Sequence, residues 1–335
     1  MTTSPSAEMY RLINGYQITQ AIYAAVHLGV ADQLKDGPRP NDDLAARIDV
    51  HAGALYRLLR ALAAAGVLHE HPARSFSLTP MGDCLRSDSS TPVGAWAAFV
   101  GRPYMWGAWG HLLHSVRTGN NAFTDLNGKS VWQFRAEHPE ESAIFDQAMT
   151  ALSKNATDAI LKAYDFSPFR LIVDVGGGRG QALAGILAAN PDMHGILLDQ
   201  PHVVEKARPL LASAGVADRC EIVAGSFFEA APSGADAYIL RAILHDWEDN
   251  EAILILRACR HAARATSRIL IIDRVIAPPN EGLIGKCSDL NMLVSPGGRE
   301  RTREEFSDLC SATGFAVAGV TPAGPMLSII EARPS

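Results

Sequence analysis

The chain has 335 residues, of which 47% are apolar and 20% charged, and a formal net charge of −6. That length suits two domains or one domain with a large addition. No apolar run reaches the ~18 residues needed to span a bilayer, and an acid excess without a long basic run argues against a nucleic-acid surface. Cys84, Cys220, Cys259, Cys287 and Cys310 are scattered and form no CxxC pair. The sequence therefore predicts reduced thiols in a cytoplasmic protein, with no disulfide framework and no metal site. The opening MTTSPSAEMYRLINGYQ has neither a basic start nor an apolar core, so it does not read as a secretory signal.

Residues 8–35 carry helical spacing through Leu12, Ile13, Tyr16, Ile22, Ala25 and Val26, until Gly29 interrupts it. A second helix is expected after Pro40-Asn41, and a third over 52–65, where Leu55, Leu58, Leu59 and Leu62 share a face. GVLHEH and SFSLTP follow as two short strands around His71-Pro72-Ala73-Arg74. Three helices and a hairpin are the winged-helix order. A DNA-reading third helix would present polar and basic residues to a groove. AGALYRLLRALAAAG offers only Arg57 and Arg60 and reads as buried, which favours packing or dimerisation.

Residues 91–165 read as helical and rich in large apolar side chains, among them Trp96, Phe99, Tyr104, Trp106, Trp109, Phe123, Trp132, Phe145 and Met149. Most belong to a core, but clustered aromatics ahead of a ligand-binding domain also suit a pocket for a flat organic molecule. From 168 the pattern changes. LIVDV, GILLD, EIVAG, AYILR and RILIID are apolar runs of the kind buried on both faces of a parallel sheet, with helices between them. Thr302-Arg303-Glu304-Glu305 has the form of a capping box, opening a helix that ends at Gly314. FAVAGVT and MLSIIEAR should close the sheet as an antiparallel hairpin. The expected fold is a doubly wound α/β domain preceded by a helical domain.

Ligands of such a sheet lie beyond the carboxyl ends of its strands, at the switch in strand order. VDVGGGRG places Gly176, Gly178 and Gly180 there, at the turn from the first strand to a helix. Backbone N–H groups and a helix start favour a negative group on a ligand. The dinucleotide pattern GxGxxG requires glycine at 181, where this chain has Gln, so the spacing leans away from a nicotinamide dinucleotide. Asp199, ending the second strand, can accept hydrogen bonds from ribose hydroxyls. Together these features suit an adenosine-containing cofactor.

VDVGGGRG, LDQPHVV, GSFFEAAPSGADAYILRAILHDWEDNEAILILRAC and GGRERTREEFSDL occur in that order. With them the chain resembles, over nearly its whole length, the S-adenosylmethionine-dependent O-methyltransferases of plant phenolics and bacterial antibiotic pathways. The resemblance implies a class I methyltransferase domain at 166–335, a helical connector at 99–165 lining the substrate pocket, and a winged-helix dimerisation domain at 1–98. It implies S-adenosylmethionine as cofactor, held by Ser153, Gly176, Asp199, Ser226, Phe227 and Arg241, the last through its backbone. Ser226 stands where the family commonly has aspartate, and a neutral hydroxyl accepts a hydrogen bond without charge assistance. His245 matches the general base, and Asp273 and Glu300 match the acids that flank it. Asp273 is a shorter arm than the more usual glutamate. Met149, Asp246 and Trp106 are expected near the substrate, although Asp246 in LHDW is equally placed to cap the following helix. For Glu300 the bland alternative is a solvated charge between Arg299 and Arg301.

The expected reaction is methylation of a hydroxyl on an aromatic small molecule of secondary metabolism, by a homodimer that engages neither nucleic acid nor membrane. A phenol of pKa near ~10 is mostly protonated at neutral pH, and a histidine taking its proton during attack is typically worth ~10²–10⁴ in rate. Rival readings are a same-fold hydroxylase or pericyclase that binds the cofactor without methylating, an N- or C-methyltransferase, and a ligand-sensing transcription regulator.

Overall fold

A computed structural model describes residues 4–90 and 92–335, with the side chains of 153–155 excepted. The chain forms two compact units, one of residues 1–107 and 135–152, the other of 108–134 and 153–335. The 99–165 segment is thus divided between them.

In the first unit the helices Gly15–His27, Asn41–Arg47 and Ala52–Ala64 surround a core that includes Leu34, Leu44, Leu55, Leu59, Leu62 and Phe76. Gly29, in the left-handed region at φ 67°, ends the helical run where the sequence analysis placed the break. The wing is a three-stranded sheet in the order β1 (Arg39–Pro40), β3 (Ser75–Leu78), β2 (Leu68–His71). Its turn carries Ala73 and Arg74 at φ 59° and 56°. One expectation needs correction: the Ala52–Ala64 helix buries a single face. Leu55, Leu59 and Leu62 point inward, while Arg57, Arg60 and Ala61 are exposed and line a shallow depression. A second cluster, Phe99, Met105 and Ala148, is joined by Tyr104, Phe145 and Met149.

The second unit is built on a seven-stranded sheet in the order β6 (Cys220–Ala224), β5 (His194–Asp199), β4 (Leu171–Val175), β7 (Ala237–Arg241), β8 (Arg268–Asp273), β10 (Leu327–Pro334), β9 (Phe315–Ala323). The first five run parallel, and β10 and β9 are antiparallel, as the alternation of apolar runs and the final hairpin predict. Alternate residues serve opposite faces. Val173, Val175, Tyr238, Leu240, Ile269 and Ile271 pack with the Asp249–Ala262 and Arg303–Ala312 helices. Ile172, Leu197, Ile239, Leu270 and Ile272 pack with the Gln181–Ala189 helix and with Phe166 and Phe169. Each such buried aliphatic side chain contributes roughly 1.5–3 kcal/mol relative to exposure. Strand order reverses between β4 and β7, so the turns that follow these two strands open side by side at one edge of the sheet.

Candidate active site at the strand-order switch

The turn after β4 is a glycine cradle. Gly176, Gly178 and Gly180 have φ of 71°, 62° and 81°, values that side chains with a Cβ rarely adopt. Close packing adds a second constraint. A Cβ on Gly176 would stand 2.5 Å from Ile243 Cδ1 and 3.2 Å from the Phe227 ring. The Asp199 carboxylate locks the cradle from the end of β5. Its Oδ2 accepts from Gly178 N–H at 2.8 Å and its Oδ1 from Gln200 N–H at 2.7 Å. Each oxygen keeps a further lone pair for an outside donor such as a ribose hydroxyl. Ser226 follows β6, and its Oγ accepts from Phe228 N–H at 3.3 Å, holding its own turn. Phe227 lies between the cradle and Trp247, whose ring is 6.2 Å away at 76°. This set of donors, spare acceptors and aromatic faces fits an adenosine-type cofactor.

Asp174 lies beneath the cradle on β4. It is buried, and neither carboxylate oxygen has a hydrogen-bond partner. Burial pushes its pKa up to about 6, against the pull of Arg241. Arg241 ends β7. Burial lowers its pKa, while the charges of Asp174 and Asp273 oppose that shift.

The turn after β7 carries the histidine. Ala242 takes φ 52° and donates its N–H to Ile272 O at 3.0 Å. An alanine in the left-handed region is strained, and such strain collects at functional sites. Here it redirects the chain so that residues 243–247 lie over the strand ends. His245 Nδ1 is 3.4 Å from Glu300 Oε1 and 3.9 Å from Asp273 Oδ1. Its other nitrogen, Nε2, faces Asp246 Oδ1 at 3.6 Å. Glu300 therefore makes a long hydrogen bond to the ring, whereas the shorter Asp273 acts through charge alone. Asp246 does not cap the next helix, whose N-cap is Glu248. Burial of His245 works against its charge, but Asp273, Asp246 and Glu300 outweigh this and raise its pKa to about 10. Burial lifts Asp273 to about 7, moderated by His245. Burial also opposes the charge of Glu300, but the hydrogen bond and charge of His245 leave its pKa lowered. The four groups form one coupled cluster that carries a proton on the imidazole.

Glu300 is not a solvated charge, being only 1% exposed. Its Oε1 accepts from Ser288 Oγ at 2.7 Å, and its N–H donates to Asp289 Oδ1 at 3.0 Å. Both partners come from the Leu283–Val294 helix. The loop that bears Glu300 clamps the histidine turn. Gly298, at φ 70°, lies so close that a Cβ would stand 2.3 Å from His245 O, and Arg299 N–H donates to that same oxygen at 2.9 Å. Arg301 is fully buried. It donates to Leu244 O at 2.7 Å, Trp247 O at 2.8 Å and Asp249 Oδ1 at 2.8 Å, pinning both ends of the turn. Sequence reading missed Ser288, Asp289, Arg301 and the Asp174–Arg241 pair. The GG before Glu300 was the available signal that a backbone approach was coming.

Of the expected site residues, the structure brings His245, Asp246, Asp273 and Glu300 into one cluster, and Gly176, Asp199 and Phe227 around one cradle. Trp106 and Met149 belong to the first unit, Met149 packing on the Phe99 cluster and Trp106 in the Pro103–Gly110 helix. The side chain of Ser153 lies outside the described residues. No helix among the described residues is long and apolar enough to cross a membrane.

Comparison with known proteins places the chain by sequence and overall fold. Residues 109–316 match the family model of an O-methyltransferase domain, and residues 10–88 that of an O-methyltransferase dimerisation domain. A phenazine O-methyltransferase from Lysobacter antibioticus is 42% identical, over 98% of this chain and 96% of the relative. An O-methyltransferase from neocarzinostatin biosynthesis, solved with S-adenosylmethionine and 2-hydroxy-5-methyl naphthoic acid, superposes with a TM-score of 0.81 at 34% identity, covering 95% of this chain and 96% of the other. An aclacinomycin 10-hydroxylase from Streptomyces purpurascens is 35% identical over 91% of this chain and 83% of its own length.

Proposed function

The chain belongs to the O-methyltransferase family and depends on S-adenosylmethionine, and from that premise we propose that it methylates a hydroxyl of an aromatic small molecule, with His245 as general base. The substrate class rests on the relatives, which include a phenazine O-methyltransferase and an enzyme solved with a naphthoic acid. The observation that carries the assignment of the base is the His245 cluster, standing one turn from the glycine cradle at the strand-order switch.

The cofactor supplies a methyl group on a positively charged sulfur. The chain's own residues do the rest. Asp199 and the cradle hold the adenosine end, with Phe227 beside Gly176 and Ser226 at the neighbouring turn. The backbone of Arg241 borders the same cleft. His245 Nε2, the nitrogen away from Glu300 and Asp273, takes the acceptor proton, with Asp246 3.6 Å from that nitrogen to orient the hydroxyl. Glu300 and Asp273 sit at Nδ1, where they fix the tautomer and stabilise the imidazolium that forms. A ring raised to about 10 is a strong proton acceptor once it is neutral. His245 would lose its proton more readily with a positive charge held at the neighbouring cradle, because a like charge disfavours the imidazolium.

The division into dimerisation domain (1–98), connector (99–165) and catalytic domain (166–335) belongs to the same reading, as do Ser153 at the cofactor and Met149 and Trp106 at the substrate. Homodimerisation is supported by the dimerisation-domain match and by the exposed apolar side chains of Met9, Tyr10, Leu12, Ile13 and Tyr16. Free cysteines throughout suit a cytoplasmic enzyme. The test is incubation with S-adenosylmethionine and a panel of phenols, phenazines and hydroxynaphthoic acids. A product heavier by ~14 Da with stoichiometric demethylated cofactor is expected. Consumption without that mass gain, or a gain of one oxygen, points to a non-methylating chemistry such as that of the hydroxylase relative.

A further inference from the structure

A second cluster of ligating side chains stands apart from the reaction centre, at the corner between the Leu112–Thr118 and Ala122–Asn127 helices. His111 is the residue before the first of these helices and His114 lies three residues on, a spacing that puts both rings on one side of the backbone. The two imidazoles are nearly parallel, with centroids 4.8 Å apart and an interplanar angle of 12°. Asp125, from the second helix, faces both. Its Oδ2 is 2.9 Å from His111 Nε2, and its Oδ1 is 3.6 Å from His114 Nε2. One donor atom from each residue lies within 4.8 Å of the other two.

Hydrogen bonding alone does not account for the arrangement. His114 Nε2 is shielded from solvent and has no hydrogen-bond partner. Its separation of 3.6 Å from Asp125 is too long for a hydrogen bond. Carrying a proton, that nitrogen lacks an acceptor; without one, it lacks a donor. A buried polar atom left in this state calls for an ion or water between it and its neighbours. Ligands ~2.0–2.2 Å from a shared tetrahedral centre stand ~3.3–3.5 Å apart. The 2.9 and 3.6 Å separations run to different oxygens of Asp125, and the three donor atoms lie within 4.8 Å of one another, so side-chain rotations that draw them in by about 1 Å complete the set.

We propose that His111, His114 and Asp125 bind a divalent transition-metal ion of the zinc class. Two imidazole nitrogens with one carboxylate suit zinc and its neighbours, and are a poor set for magnesium or calcium, which take oxygen ligands. The His111 and Asp125 side chains are 35% and 46% exposed, so solvent completes the coordination. The ion's part is structural. Asn121, the N-cap of the second helix, donates from Nδ2 to Leu293 O and Ser295 O, both at 3.1 Å. Trp109 Nε1 donates to Asn291 Oδ1 at 3.1 Å. The metal staples the corner that grips the Leu283–Val294 helix, and that helix supplies the Ser288 and Asp289 contacts to Glu300.

The test is titration of the tag-free, chelator-treated full chain with cobalt(II), followed by absorption, and with zinc(II), followed by calorimetry and thermal melting. The expected result is saturable uptake of one ion per chain, visible d–d bands of a low-symmetry centre, and a higher melting temperature with metal. His114→Ala and Asp125→Asn should each abolish the bands and weaken zinc binding by more than ~10-fold, the lower end of what even an outer-shell partner costs. Asp125→Asn preserves side-chain shape and so separates loss of a ligand from loss of the fold. Weak, non-saturating uptake by the unaltered protein, or binding unchanged in both variants, overturns the proposal.

Discussion

Replacing Glu300 with glutamine removes one of the charges that hold the His245 proton while preserving the side chain's size and its Ser288 contact. The carboxylate stands 3.4 Å from Nδ1. At an effective dielectric near 20, a pair of unit charges at this distance interacts by ~5 kcal/mol, an upper bound of ~3.6 pKa units. A nearby opposite charge typically moves a pKa by roughly 1–3 units. The direction follows from the sign of the shift. His245 is raised to about 10, so its basic form is scarce at neutral pH and grows as pH rises toward that value. Taking away Glu300's charge lowers the pKa and makes the basic form available at lower pH. In a pH series of kcat/KM the rising limb should therefore move down by roughly 1–3 units. The plateau should fall by ~10-fold, because a less basic imidazole is a poorer proton acceptor and its cation loses support. The assay is discriminating because a phenolic substrate also ionises near ~10. A limb that keeps its wild-type position, with only the plateau reduced, would assign the titration to the substrate and refute the reasoning about the cluster.

Other parts of the site make separate demands. Asp199→Asn should weaken binding of S-adenosylhomocysteine by roughly 10–100-fold in calorimetry, since charge-assisted hydrogen bonds each contribute about 1.5–3 kcal/mol; affinity within twofold of wild type would remove Asp199 from the cofactor site. Gly298→Ala forces a Cβ against His245 O at a positive φ, and a loss of at least ~2 kcal/mol in denaturant unfolding is expected, with turnover falling alongside. Unchanged stability would show that the clamp loop relaxes freely. Arg301→Met removes a buried guanidinium that holds Leu244 O, Trp247 O and Asp249. The two carbonyls left without a donor should cost ~3 kcal/mol and loosen the histidine turn, whereas Asp249, more than half exposed and 3.8 Å from Arg299, adds little; the loosening is visible as faster amide exchange at 244–249. Protection equal to wild type would contradict that role.

Much of the fold was legible because its signals are local. The apolar runs at 171–175, 237–241 and 268–273 are strands, the capping box at Thr302 opens its helix with both reciprocal bonds, and Gly29 breaks the first helical run. The glycine cradle was legible for the same reason, since its φ values are written in the residue type. His245, the proposed base, is marked in the sequence by its motif and not by its environment. What stayed hidden is what chain folding brings together from afar. Ser288 and Asp289 approach Glu300 across a helix and a loop. Arg301, in a run of charges, is the largest fully buried side chain among the described residues. On the Ala52–Ala64 helix the leucine spacing marks the covered face, but nothing local shows that the side bearing Arg57, Arg60 and Ala61 stays open. Cysteine spacing spoke only to thiol ligands, so it carried no information about His111, His114 and Asp125.

Single-turnover methyl transfer by His245→Ala, with the cofactor bound and the fold checked by circular dichroism, tests the imidazole's role most directly. A rate at least ~100-fold below wild type, with cofactor affinity retained, is the expected result. A rate near that of the unaltered protein would mean that alignment of donor and acceptor drives the reaction without a protein base.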